Sequence, residues 1–151
     1  MRGMELLPVE TTLRPGKVRT QVEGEFLSQD GFLSPLDGKK LSGYEVHMGE
    51  TTRMPEGRAL CRVLVCQSGE EKEDGCVCGN VFGTYVHGIF DAKDLAAGMI
   101  KIAAGQKGID WHPSETVDYA AHRESQYRKL AKTLRESLDM AAVYGSMGIF
   151  L

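Results

Sequence analysis

The hydrophobic period of this chain changes once, at Phe90-Asp91, and that change constrains the fold more than any other feature. Before it, apolar residues alternate with polar ones or gather in short β-branched runs, which is the pattern of strands. After it they recur at three- and four-residue spacing, which is the pattern of helices. A complete parallel α/β domain reads strand–helix–strand from its beginning. Here the strands come first and the helices last. The order predicts the carboxy-terminal portion of a larger α/β domain, with a mixed sheet and two main helices. With no internal repeat and no linker to a second domain, residues 1–151 read as one partial domain.

Val18, Thr20 and Val22 alternate with polar neighbours and predict a half-buried strand. Residues 6–12 read as sequence following an element that has just ended. Pro35-Leu36-Asp37-Gly38-Lys39 carries turn chemistry. The next strand spans 43–48, with Tyr44, Val46 and Met48 on one face and Glu45 and His47 on the other. Residues 59–66 predict a well-buried strand, and the charged stretch 68–75 an exposed loop. Cys76-Val77-Cys78 and Val81-Phe82 face each other across Gly79-Asn80 as a hairpin, whose second arm runs on directly into His87. Asp91 is placed to cap a helix carrying Asp94, Leu95, Met99, Ile102 and Ala103, with Gly105 as its stop. Trp111-His112-Pro113-Ser114 is a connection. A longer helix over 118–138 has Tyr127, Leu130, Ala131, Leu134 and Leu138 as its apolar stripe, and Glu124 and Arg128 on its wet side.

Composition narrows the function. A net charge of −3 and a pI near 5.8 give no electrostatic case for nucleic acid. No segment approaches the roughly 18–20 apolar residues of a membrane span, and residues 1–8 lack the apolar run of a secretory signal. The chain is therefore expected to be cytoplasmic, with its four cysteines as reduced thiols. Their spacing does not match structural zinc pairs, so no metal site is expected. There is no Gly-x4-Gly-Lys-Ser/Thr loop to cradle phosphate.

His87 is the residue most suited to chemistry. It ends an apolar stretch and is followed at once by Gly88, which predicts an imidazole projecting from a strand tip, a common place for a catalytic base. The run Gly83-Thr84-Tyr85-Val86-His87-Gly88-Ile89-Phe90-Asp91, together with Gly43-Tyr44-Glu45-Val46-His47-Met48-Gly49-Glu50-Thr51, resembles the glutamine amidotransferase domain of cobyric acid synthase. Arg123-Glu124-Ser125-Gln126-Tyr127 and Leu138-Asp139-Met140 resemble its closing helix, so the resemblance runs from about residue 6 to residue 144. It implies a class I, flavodoxin-like fold in which a cysteine thiolate attacks glutamine and His87 acts as general base and acid. The ammonia would pass to a separate synthetase domain, where ATP and Mg²⁺ activate corrin carboxylates for cobalamin biosynthesis. This chain would hold no cofactor itself. Its partners would be glutamine, the absent amino-terminal half or synthetase domain, and the corrin only through that domain.

Commoner class I enzymes carry His-Pro-Glu, with the glutamate orienting the histidine. Here that position is Ile89, as in cobyric-acid-type domains, so the orienting group is left unidentified. Glu45, His47 and Tyr85 are possible flanking residues, with Glu45 and His47 preferred as a structural pair. The family nucleophile sits on a sharp Gly-x-Cys-x-Gly turn from strand to helix. Cys61, Cys66, Cys76 and Cys78 lack those surroundings, so the nucleophile is expected upstream and the chain is expected to be inactive alone. Two alternatives stay open. One is a non-catalytic remnant or trans-complementing half-domain, and the other is the same domain of cobyrinic acid a,c-diamide synthase.

Overall fold

The computed structural model describes residues 3–27, 31–91, 93–112 and 118–149. They fall into two units, Met1–Thr116 and Val117–Leu151. The first unit is built on a long ribbon of β1 (Val9–Phe26) and β2 (Lys40–Arg53), paired antiparallel from Val9↔Arg53 to Glu25↔Lys40. The expected strand around Val18 is thus the middle of one 18-residue strand that already includes Val9 to Thr12. Its register shifts between Leu13 and Val18. Pro15 lies in that gap, where a residue without an N–H cannot donate to the ladder.

A short 3₁₀ helix (Gly31–Leu36) and the Asp37-Gly38 turn connect the two arms, and the turn stands where the sequence placed it. β3 (Cys61–Val65) pairs with β1, and β4 (Glu71–Asp74) with β3. β3 alternates, with Cys61, Val63 and Val65 buried and Arg62 and Leu64 not, so it is half-buried rather than buried throughout. β4 corrects the expected loop over 68–75. Four consecutive charged residues form a strand because they lie at the sheet's edge, where charge deters a further strand from adding. β5 (Cys76–Cys78) and β6 (Val81–Gly83) form the expected hairpin over Gly79-Asn80.

β7 (Val86–His87) pairs with β2, completing a five-stranded sheet of order β4-β3-β1-β2-β7. Every pairing in it is antiparallel, which corrects the mixed sheet. Among the described residues no helix long enough for a parallel crossover lies between β1 and β7, and of the neighbouring pairs only β1–β2 and β3–β4 are consecutive in the chain. α1 (Lys93–Gln106) follows and runs slightly past Gly105. Its Leu95 is buried in the core beside Val22, Leu33, Leu36, Val63 and Val86, with Met99 and Ile102 packed against it, as the helical spacing predicts. Asp91 adjoins Ala92, which lies outside the described residues, as do Pro113 and Ser114 of the expected connection.

In the second unit α2 (Tyr119–Ser137) starts at Asp118, whose carboxylate accepts from the Ala121 amide. A third helix that the sequence reading omitted, α3 (Met140–Ser146), starts the same way at Asp139. No α2 side chain is buried, so its predicted stripe is apolar but not core.

Candidate functional site

His87 stands on β7, directly across from Tyr44 on β2. Paired residues of a ladder project from the same face, and the two rings are stacked, with centroids 5.2 Å apart and planes 11° from parallel. The imidazole is exposed. No hydrogen bond reaches either ring nitrogen from the described residues. Two glycines make this placement possible. A Cβ on Gly43 would lie 2.2 Å from the His87 carbonyl oxygen, so β7 approaches β2 this closely only because Gly43 has none. Gly88 has a φ of 80°, which turns the chain away immediately after the histidine.

The expected single strand over 81–86 is broken at Thr84-Tyr85, and Asp74 breaks it. Its carboxylate, almost fully buried, accepts from the Thr84 hydroxyl and from the Tyr85 amide at 3.2 Å. The Thr84 hydroxyl oxygen in turn accepts from the Val86 amide at 3.0 Å. Amides that would have extended a β6 ladder are bound to side chains instead. The chain therefore steps from the small hairpin onto the main sheet just before His87.

Glu45, His47 and Tyr85 lie elsewhere. Glu45 is paired with Val86, the neighbour of His87, and so points to the opposite face of the sheet. There a cavity of about 560 Å³ is lined by Glu45, His47, Lys72, Asp74, Cys76 and Tyr85 among others, and His87 is not among them. Glu45 is wholly buried, held by Lys72 Nζ at 2.8 Å and by the Thr20 hydroxyl at 3.3 Å. The His47 ring packs on Tyr85, centroids 4.3 Å apart. Its Nδ1 lies 2.7 Å from the Gly49 carbonyl. A carbonyl only accepts, so Nδ1 carries the proton. Tyr85 and Thr51 share a hydroxyl bond of 2.7 Å, and Thr51 and Thr11 another of 2.7 Å.

Glu45 Oε1 and His47 Nε2 are buried without a hydrogen-bond partner among the described residues. A solvated loop position is the ordinary expectation for an arginine just past a strand motif such as Gly43 to Thr51. Arg53 is instead the last residue of β2, paired with Glu73 and donating to the Gly75 carbonyl at 3.2 Å, while Glu50 pairs with Arg14 at 3.0 Å. Lys72 and Asp74, which hold this side together, were hidden in the stretch read as a loop. Their spacing of two was the available signal. Among the described residues no three His, Cys, Asp or Glu side chains converge as a metal site.

The family model for the CobB/CobQ-like glutamine amidotransferase domain matches residues 1–95, all of β1 to β7. Over nearly its full length the chain is also similar to curated cobyric acid synthases. That of Ruminiclostridium cellulolyticum is 39% identical over 95% of the chain. Those of Lachnoclostridium phytofermentans and a Thermoanaerobacter species are each 36% identical over 97% of it. The chain belongs to the CobB/CobQ-like glutamine amidotransferase family. It spans 28–30% of the length of these relatives.

For a member of the CobB/CobQ-like family the cysteines are badly placed. Cys61 is the first residue of β3, fully buried, and donates to the Asp74 carbonyl at 3.6 Å. Burial, and then the nearby charges of Asp74 and Glu45, push its thiol up to about 12. Burial also raises the Cys76 thiol. Both shifts oppose formation of the thiolate that attacks an amide. Cys66 is exposed, beyond the end of β3, and Cys78 ends β5 at the hairpin turn. None of the four sits on a turn from strand to helix. No described helix is long and apolar enough to cross a membrane.

Proposed function

We propose that this chain supplies the histidine-bearing carboxy-terminal part of a class I, flavodoxin-like glutaminase domain of cobyric acid synthase. In this reading His87 is the general base and acid, and the nucleophilic cysteine comes from a segment outside these 151 residues. The thiolate attacks the side-chain amide of glutamine to form a thioester, and His87 returns a proton to the departing ammonia. The ammonia feeds ATP-dependent amidation of corrin carboxylates at a separate synthetase domain, with ATP and Mg²⁺ bound there and not here. The observation that carries the reading is the placement of His87. An exposed imidazole on the short outer strand β7, with neither nitrogen bonded among the described residues, is what a base needs if its nucleophile arrives on another segment. Purified alone, the chain should release no ammonia from glutamine. Joined with an upstream segment bearing Gly-x-Cys-x-Gly, it should do so, and His87→Ala should abolish the release. Activity of the isolated chain that depends on one of its own cysteines would refute the reading.

A further inference from the structure

We infer that Tyr44 is the positioning residue for His87, holding the imidazole plane by stacking where other class I enzymes use a carboxylate. The inference rests on the proposed catalytic role of His87 and adds the group that orients it. Ile89, two residues beyond the histidine, has no polar atom in its side chain and is buried in the core cluster. With no hydrogen bond from the described residues, the exposed ring would otherwise rotate about both side-chain torsions. Tyr44 removes that freedom. It is the register partner of His87, its ring lies nearly parallel at 5.2 Å, and the β2–β7 approach that Gly43 permits fixes the two backbones.

A face-to-face contact has a chemical consequence that a carboxylate contact lacks. A carboxylate occupies one ring nitrogen, whereas a stack occupies only the ring face. Both nitrogens stay open at the edge, one to take the thiol proton and return it to ammonia. The orientation then depends on an aromatic ring at position 44 and not on its hydroxyl, which separates this idea from a hydrogen-bonding role.

The test uses the full chain carrying Tyr44→Phe or Tyr44→Ala. Tyr44 is half exposed, so neither change opens the core. Should Tyr44→Ala fail to give a folded amide spectrum, Tyr44→Leu removes the ring while keeping bulk on the strand. By NMR, the carbon-bound ring protons of His87 should be shifted upfield by the neighbouring ring in the wild type and in Tyr44→Phe. In the ringless variant they should return to the values of a free histidine. In the complemented glutaminase, the ringless variant should lose roughly ten- to hundredfold in kcat with little change in KM, and Tyr44→Phe should stay within about threefold of wild type. Unchanged His87 shifts in the ringless variant overturn the proposal, as does a Tyr44→Phe enzyme as slow as the ringless one. The shifts need no glutamine. If turnover of the complemented wild type survives His87→Ala, the glutaminase reading fails even where the stack itself is observed.

Discussion

Glu45 and Lys72 make a pair of unequal burial, and removing either partner tests what the other needs. Glu45 has no exposure, while the Lys72 side chain is about one-third exposed. A buried carboxylate deprived of its cation is costly, whereas a lysine at a pocket wall can turn toward water. Lys72→Met should therefore destabilise the first unit by about 2–4 kcal/mol in urea denaturation, and the double change with Glu45→Gln should recover part of that. A loss below about 1 kcal/mol for Lys72→Met would mean that water already solvates Glu45. The cysteines give a second residue-scale prediction. A thiol reagent should modify the exposed Cys66 first and Cys61 last. The folded Cys61 thiol titrates at about 12, above its ordinary value of 9.0. Its contribution to stability is thus complete below pH 9.0 and is lost as the pH rises toward 12. Urea midpoints of wild type and Cys61→Ala should converge over that interval, and parallel curves would refute the assignment.

The elements that organise His87 depend on close approach more than on side-chain contacts, and Gly43 is where this is most testable. A methyl group there would overlap the His87 carbonyl, so Gly43→Ala should detach β7 from β2. The expected result is loss of the β2–β7 cross-strand NOEs and of the Tyr44–His87 ring contact, with the β1–β3 pairing intact. Retained contacts would show that the strands adjust at little cost. None of this was legible in the sequence, although the neighbouring facts were. Alternation of Val18, Thr20 and Val22 gave a strand, and the Gly79-Asn80 pair gave a hairpin, because each signal is local. The leucine and methionine spacing after Asp91 gave α1 for the same reason. What failed was non-local. Glu71-Lys72-Glu73-Asp74 looks like a loop until β3 is beside it, and the run 81–86 looks continuous until the Asp74 carboxylate claims the Tyr85 amide. The site was split by the same effect. Val86 and His87 are adjacent in sequence but face opposite sides, so Glu45, the partner of Val86, lines a cavity that His87 does not enter, and Tyr85 joins it because the strand is broken just before Val86.

At the scale of the whole molecule, the two units differ in what stabilises them, and amide exchange should separate them. The first unit buries Val22, Phe26, Leu33, Leu36, Leu60 and Val63 in one cluster, so amides of β1 and β3 become exchangeable only when the cluster opens. Among its described residues the second unit has no such cluster. α2 buries none of its side chains, and Leu130, Leu134 and Leu138 are 57%, 43% and 49% exposed. What remains is local: the Asp118 cap, and the ion pairs Glu124–Arg128 and Lys132–Glu136 at one-turn spacing. A cap contributes about 1 kcal/mol and each pair about 0.3–0.5 kcal/mol. That is too little to hold a helix of 19 residues far from its coil equilibrium. In the isolated chain, α2 amides should exchange within roughly a hundredfold of unstructured rates and respond little to urea, while Val22, Val63 and Val65 exchange only through global unfolding. Joining the chain to the remaining length of its relatives then becomes informative. If that length packs on the apolar stripe, protection should appear at Leu130, Leu134 and Leu138 and not on the Glu124–Arg128 side. Protection of α2 equal to that of β3 in the isolated chain would show that the helix draws its stability from burial after all.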